Sequence, residues 1–103
     1  MKEKIYAYLT RIPKGRVVTY GQIAAYLGDP HLCRYVGNVL HTNPDPITYP
    51  CYKVVNRQGK LAKQFGDGGM KVQRQRLLAD GIEIINDRVD LSRYQWQDTP
   101  KEY

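Results

Sequence analysis

The 103-residue sequence contains no apolar run that approaches the ~18 residues needed to span a membrane. Its first segment, MKEKIYAYLTRI, lacks the apolar stretch and the small-residue cleavage site of a secretory signal peptide. It has only two cysteines, Cys33 and Cys51, too few for the disulfide framework of a small secreted domain. These absences predict an intracellular protein without membrane association, whose cysteines are thiols.

Patterns typical of several common functional sites are also missing. His31, Cys33 and His41 match no recognised zinc spacing, so we expect no metal site. The glycine-rich run FGDGG has no Gly-Lys-Ser/Thr ending, which argues against a phosphate-binding loop. No Ser/His/Asp order and no pair of carboxylates stands out, which disfavours hydrolase and glycosidase chemistry.

The length and the charge narrow the possibilities further. A chain of about 100 residues has room for one domain with one modest core, so we expect a single domain over residues 1–103. The formal charge is +6, but residues 1–76 hold 13 basic and 4 acidic residues, and residues 77–103 hold 3 basic and 6 acidic ones. The first part therefore carries +9, which favours a polyanionic partner such as nucleic acid. Charge alone leaves open a basic protein with no such partner.

Hydrophobic periodicity predicts three helices in the first half of the chain. Apolar residues at helical spacing from Ile5 to Ile12 predict the first helix. A second is predicted over residues 20–27, with a threonine N-cap, and a third over residues 30–42, which begins with a proline. The tight glycine-containing turn between the second and third has the spacing of a helix-turn-helix.

The second half of the chain mixes short strands with one helix. We predict a strand over residues 52–56 and a helix over residues 70–80 with Leu77 and Leu78 facing inward. We also predict a hairpin around Asn86-Asp87, with strands over residues 82–85 and 89–91. The predicted fold class is thus mainly α with a small β part.

Cys51 is a candidate nucleophile. It follows a segment with three prolines, residues 44–50, for which we predict a stiff extended path that would hold a reactive group still. A thiol of ordinary pKa is only about 3% thiolate at pH 7, so attack requires a base or a positive field nearby. Lys53 supplies such a field only if its ammonium turns toward the sulfur. The alternative for Cys51 is a small buried hydrophobic residue.

Two residues of the predicted helix-turn-helix also have two interpretations. Arg34, in its second helix, is either a solvated surface arginine or a phosphate contact. Tyr20 opens its first helix, where backbone N–H groups and the helix dipole attract phosphate, or else it packs in the core.

Several motifs together resemble one known family. They are the run IPKGRVVTYGQIA, the Arg-x-Val-Gly of residues 34–37, the pair Asn43-Pro44, and Pro50-Cys51 followed by an aromatic, a basic residue and two valines. In order and spacing they resemble the C-terminal domain of O6-alkylguanine-DNA alkyltransferases and of their small relatives, the alkyltransferase-like proteins. The resemblance covers roughly residues 5–96.

The resemblance implies a winged helix-turn-helix domain that binds duplex DNA through the minor groove, as a monomer and without cofactor. The implied partner is double-stranded DNA containing alkylated guanine, with nucleotide-excision repair proteins as further partners. By position, the implied DNA-binding residues are Thr19, Tyr20, Gln22, Cys33, Arg34 and Gly37. The implied lesion pocket is Asn43, Pro46, Tyr52, Phe65 and Gly66. The implied catalytic residues are Cys51 as alkyl acceptor, Tyr20 as proton donor and Asp80, which falls near a family glutamate.

One departure from the family pattern leaves two functions open. Active alkyltransferases carry Pro-Cys-His-Arg, whereas this chain reads Pro50-Cys51-Tyr52-Lys53. A phenol of pKa near 10 is a poor base at pH 7. Alkyltransferase-like proteins usually replace the cysteine by tryptophan or alanine, and this chain retains it. The first hypothesis is a single-turnover transfer of the alkyl group to Cys51, and the second is a non-enzymatic lesion reader that recruits nucleotide-excision repair. A plain winged-helix transcription factor would not need the Pro-Cys segment.

Overall fold

The computed structural model describes residues 2–62 and 69–97, and within them five α-helices and four short strands. In chain order they are α1 (Lys2–Arg11), β1 (Val18–Thr19), α2 (Tyr20–Tyr26), α3 (Cys33–His41), β2 (Val54–Val55), α4 (Gly69–Ala79), β3 (Ile84–Ile85), β4 (Arg88–Val89) and α5 (Leu91–Tyr94). The predicted fold class, mainly α with a small β part, is confirmed. No helix of the described ranges has both the length and the apolar character for a membrane span.

The helix-turn-helix forms where its local signals predict it. Thr19 caps α2, because its hydroxyl accepts from Gln22 N at 3.1 Å while Gln22 Oε1 accepts from Thr19 N at 3.0 Å. The predicted helix over residues 30–42 divides into a 3-10 turn, Pro30–Leu32, and α3. The division arises because Asp29 caps the turn: its carboxylate accepts from His31 N, and its carbonyl accepts from Leu32 N at 3.0 Å.

Two hydrophobic clusters form the core. The first joins α1, α2 and α3 and includes Cys51. The second lies under the C-terminal elements and consists of Val17, Val55, Leu61, Leu77, Ile82 and Val89. Strand β1 contributes Val18 to the first cluster, and β2 contributes Val54 to the first and Val55 to the second. The two strands pair in parallel, with Val18 opposite Val54 and Thr19 opposite Val55. This pairing joins two segments about 35 residues apart and places the end of β2 beside the start of α2.

The C-terminal hairpin is confirmed, whereas the following residues differ from the prediction. Asn86 and Asp87 both have positive φ, 55° and 57°, as a type I′ hairpin turn requires. Residue Leu91, predicted as strand, instead begins α5, which Asp90 caps through Ser92 N at 3.0 Å. The chain then returns to the first cluster through Trp96, whose backbone N–H donates to Val17 O at 2.8 Å.

Two other predictions were wrong in detail. Leu78 is 51% exposed, and the inward face of α4 is formed by Leu77 and the fully buried Gln73 four residues before it. Helical periodicity alone does not decide which of two adjacent leucines faces the core. The proline-rich segment is a compact turn instead of an extended path, because Asp45 accepts hydrogen bonds from Thr48 N and Tyr49 N. Proline fixes its own φ at a value that turns also use.

Candidate functional site

Cys51 lies in a buried position at the start of the 3-10 turn Cys51–Lys53. Its side chain is a thiol, 7% exposed, in the first core cluster. Pro50 precedes it, and Cys51 N donates to Tyr49 O at 2.7 Å, which fixes the backbone of the approach. Five tyrosines pack against this cluster: Tyr6, Tyr20, Tyr35, Tyr49 and Tyr52. The thiol therefore sits in a pocket rich in phenol groups, with little access to water.

Tyr20 is the predicted proton donor, and the structure brings it close to Cys51. It is the first residue of α2 and is half-buried. Burial raises the pKa of Tyr20, and the negative charge of a Cys51 thiolate raises it further. The phenol is therefore protonated at neutral pH. Only in this form can it donate a hydrogen bond or a proton beside the thiol.

Tyr6 is a second phenol beside Cys51, and the sequence did not single it out. Burial raises the pKa of Tyr6, and the nearby Cys51 is the next cause. Its ring stacks on Tyr49 with 4.9 Å between the centroids and an angle of 19°. Tyr6 lies on the partly buried flank of α1, and no local pattern shows that this flank meets a segment 45 residues further along the chain.

Tyr52 and Asp80 form a direct pair. The Tyr52 hydroxyl donates to Asp80 Oδ2 at 2.8 Å, across the space between the Cys51–Lys53 turn and the end of α4. Burial raises the pKa of Tyr52, and the bond to Asp80 is the second cause, whereas the positive charge of Arg76 opposes both. The phenol is therefore a neutral donor, and it does not serve as a base at pH 7.

Gln73 holds the backbone of the same turn from α4. Its Nε2 donates to Tyr52 O at 3.1 Å and to Val54 O at 3.0 Å, and its Oε1 accepts from Ala62 N at 2.8 Å. The side chain is fully buried, so these three bonds satisfy it. Gln73 was not predicted from the sequence; its signal is the spacing of four residues to Leu77 on one helix face.

The Lys53 ammonium is not placed to activate the thiol through its positive charge. Its Nζ donates to Ile12 O at 2.9 Å, at the end of α1, and lies 6.0 Å from the centre of the Tyr52 ring. Burial lowers the pKa of Lys53 and the charge of Asp80 partly restores it. The ammonium thus stabilises the packing of α1 on the Cys51 turn.

The helix-turn-helix residues divide into an exposed and an internal group. On α3, Arg34 and Cys33 are exposed, and Gly37 is half-buried. The Cys33 thiol donates to Pro30 O at 3.4 Å. Thr19 and Gln22 instead form the cap of α2, and Gln22 also donates to Trp96 O at 2.7 Å and accepts from Gln95 Nε2 at 2.7 Å. Both polar atoms of Gln22 are engaged inside the protein.

Asn43 connects the two ends of the loop before Cys51. Its Nδ2 donates to Tyr49 O at 2.8 Å, and its Oδ1 accepts from Asp45 N at 2.9 Å. Pro46 is half-buried at the tip of that loop. The predicted pocket residues Phe65 and Gly66 lie outside the described residues. Over residues 2–62 and 69–97, no three His, Cys, Asp or Glu side chains are grouped as metal ligands.

Comparison with known proteins agrees with this geometry. The model of the family "6-O-methylguanine DNA methyltransferase, DNA binding domain" matches residues 1–82. The chain is similar to a DNA base-flipping protein of Vibrio parahaemolyticus, with 39% identity over 95 residues that cover 91% of this chain and 93% of that one. It is also similar to a bifunctional methyltransferase/endonuclease of Picrophilus torridus, with 40% identity over 99 residues. That match covers 96% of this chain but only 33% of the longer protein.

A solved structure extends the likeness to three dimensions. Atl1 of Schizosaccharomyces pombe, in complex with damaged DNA containing O6-carboxymethylguanine, superposes with a TM-score of 0.82 and 33% sequence identity. The superposition covers 93% of this chain and 94% of Atl1. The helix-turn-helix and the Cys51 turn thus belong to a fold shared over nearly its whole length.

Proposed function

Since the chain belongs to the family of the 6-O-methylguanine DNA methyltransferase DNA-binding domain, we propose that it repairs alkylated DNA by accepting the alkyl group on Cys51. The observation that carries the proposal is the buried Cys51 thiol beside the protonated phenol of Tyr20. One group is the nucleophile and the other the proton donor that an alkyl transfer from guanine needs.

Binding comes before the transfer. The helices α2 and α3 meet the duplex, with Arg34 exposed on α3 and Tyr20 at the start of α2. Extruding a base costs a few kcal/mol of pairing and stacking. Basic contacts to phosphates and the insertion of Arg34 into the vacated place offset that cost. An O6-alkylated guanine pairs less well with cytosine and is therefore extruded more easily.

The chemical step is a displacement at the alkyl carbon. The Cys51 thiol releases its proton to solvent, a sulfur–carbon bond forms, and the bond between the alkyl carbon and guanine O6 breaks. The leaving guanine takes a proton from Tyr20, which recovers one from solvent, so that overall the thiol proton replaces the alkyl group on guanine. The product is a thioether on Cys51, and each molecule reacts once.

A second function is favoured by one specific observation. Tyr52, the residue after Cys51, donates to Asp80 and has a raised pKa, so the described site offers the thiol no base of near-neutral pKa at this position. A slow or absent transfer would leave a protein that binds and extrudes the damaged base and marks it for nucleotide-excision repair. The relatives include proteins named for each role: one is a DNA base-flipping protein, and another is a methylated-DNA–protein-cysteine methyltransferase.

Intact-mass measurement separates the two functions. The protein is incubated with a duplex that contains a single O6-methylguanine, and with the same duplex carrying guanine. Transfer predicts the replacement of one hydrogen by one methyl group in the first sample alone, in the wild type and in Cys33→Ser but not in Cys51→Ser. Binding of the damaged duplex without any gain in mass would exclude transfer and leave the reader function.

A further inference from the structure

Three basic residues outside the helix-turn-helix form a strip along one edge of the molecule. Arg57 lies at the tip of the turn after β2, Lys60 follows that turn, and Arg88 is the first residue of β4. All three side chains are exposed. Among the residues that the structure describes, none of the three has an ion-pair or side-chain hydrogen-bond partner. Within the described residues, no carboxylate is thus in direct contact with any of these three positive charges.

Lys60 and Arg88 stand directly opposite each other. They form an antiparallel bridge, in which Leu61 N donates to Asp87 O at 3.0 Å and Val89 N donates to Gly59 O at 2.8 Å. This is a non-hydrogen-bonded pair, whose Cα atoms are about 4.5 Å apart and whose side chains share one face. Two like charges in such a pair destabilise the fold unless an anion lies between them.

The carboxylates around the strip offset its positive charge only in part. Asp87 pairs with Arg74 on α4, and Glu83 pairs with Arg93 at 3.2 Å. Asp90 accepts from Ser92 N and from Ser92 Oγ at 2.6 Å. Asp87 and Glu83 are thus each paired with a base, whereas the hydrogen bonds of Asp90 leave its negative charge in place. Glu83 and Asp90 line the same hollow of about 580 Å³ as Arg57 and Arg88. The three basic residues of the strip therefore face one carboxylate, Asp90, that forms no ion pair within the described residues.

The scaffold of the strip is tightly built. The Asn56 side chain accepts from Gln58 N at 2.8 Å and from Lys60 N at 2.9 Å, which closes the turn that carries Arg57. Gly59 has φ of +82°, and a Cβ there would lie 2.1 Å from Val89 O. The turn and the hairpin therefore approach each other as closely as only glycine permits. These contacts fix the backbone that carries the three basic residues.

The sheet topology connects the strip to the proposed DNA site. Strands β1 and β2 are parallel with Thr19 opposite Val55, so Tyr20 and Asn56 leave the same edge on neighbouring strands, about 5 Å apart. Arg57 is the next residue after Asn56. The strip therefore begins beside Tyr20, a residue of the proposed DNA site, and continues away from it along the hairpin.

We propose that Arg57, Lys60 and Arg88 bind phosphates of the DNA backbone and extend the duplex contact beyond the helix-turn-helix. The proposal rests on the proposed function for the presence of DNA, but it adds a surface and a role that are independent of the lesion. These contacts are to the backbone alone, so they raise the affinity for any duplex and leave the preference for damaged DNA unchanged.

The salt dependence of binding tests the strip. Affinity for an undamaged fluorescein-labelled duplex, and for the same duplex with one O6-methylguanine, is measured by anisotropy between about 50 and about 200 mM salt. All proteins in this experiment carry Cys51→Ser, so that the methyl group is not transferred during the titration. The variants are Arg57→Gln, Lys60→Gln, Arg88→Gln and the triple substitution. The matched control is Arg93→Gln, which removes the same charge nearby from a group that is already paired with Glu83.

We expect each substitution to reduce the slope of log affinity against log salt by about 0.9 for every phosphate that the variant no longer binds. The loss of affinity should be equal on the two duplexes, and the control should keep the wild-type slope. A triple variant with wild-type slope and affinity would show that the strip does not bind DNA phosphates. Failure of the proposed function has a different signature: the protein that retains Cys51 would gain no methyl group in intact mass, while the salt slopes would still report on the strip.

Discussion

The phenolic oxygen of Tyr52 lies 2.8 Å from Oδ2 of Asp80 and donates its proton to that carboxylate. The contact joins the residue after the candidate nucleophile to the C-terminal end of α4, 28 residues later in the chain. A carboxylate that orients the group next to a thiol is the arrangement of a Cys–His–Asp site with the histidine replaced. Asp80 thus occupies the position of the orienting group, and the phenol of Tyr52 stands where such a site has its imidazole.

Tyr52→His should therefore accelerate alkyl transfer at neutral pH. An imidazole of pKa near 6.5 is placed where Asp80 can orient it, and it can take up the thiol proton that the Tyr52 phenol cannot accept. We expect an increase of about 10²-fold in the single-turnover rate at pH 7 and a lower pH midpoint of the rate profile. The double variant Tyr52→His/Asp80→Asn is the control, and it should lose most of the gain. Equal rates for Tyr52→His and the wild type at every pH would contradict this interpretation of the pair.

Tyr52 should also make the stability of the fold depend on alkaline pH. Burial and the bond to Asp80 raise the pKa of the folded Tyr52. A raised pKa gives stabilisation that is fully present below the unfolded value of about 10 and is lost as the pH rises from there toward the folded value. The difference in unfolding free energy between wild type and Tyr52→Phe, measured by urea denaturation, should therefore stay constant up to about pH 10 and then shrink. A difference that does not change with alkaline pH would show that the phenol has no raised pKa.

Gln73 should be among the residues most important for the stability of the site. Gln73→Met preserves most of the volume but leaves Tyr52 O, Val54 O and Ala62 N without the partners that the amide supplies. An unsatisfied buried polar group costs about 1–3 kcal/mol, so we expect a loss of at least about 2 kcal/mol. The exposed Gln75 on the same helix provides the matched control, since Gln75→Met should change the unfolding free energy by less than about 0.5 kcal/mol. Similar losses of unfolding free energy for the two variants would show that the three bonds of Gln73 do not stabilise the site.

The sequence was informative wherever a few neighbouring residues decide the structure. The cap by Thr19 and the turn at Asn86-Asp87 are local, and both predictions are confirmed. The resemblance to the alkyltransferase family, carried by short motifs, is confirmed by the family model and by the solved structures. The roles of the site residues that it implied remain predictions.

Contacts between distant segments were not predicted. The parallel pairing of β1 with β2, the approach of Tyr6 to Cys51 and the three bonds of Gln73 all depend on tertiary packing. A tyrosine on a helix flank and a glutamine on an amphipathic helix have the same local pattern whether they face solvent or another segment. The direction of the Lys53 ammonium, toward Ile12 O, was left open for the same reason.

Arg34 should contribute to the selectivity for damaged DNA more than to general affinity. It is exposed on α3, where it has no ion pair with any residue in the described ranges. If its side chain fills the place of an extruded base, Arg34→Ala removes a phosphate-independent contact that only the flipped complex makes. We expect the affinity for the O6-methylguanine duplex to fall by about tenfold or more, and the affinity for the undamaged duplex to fall by the smaller amount that the removal of one charge explains. Asn38→Ala, at another exposed position of α3, is the matched control and should preserve the ratio of the two affinities. Both variants are measured together with Cys51→Ser, so that no methyl group is transferred. Equal losses on both duplexes would identify Arg34 as an ordinary phosphate contact.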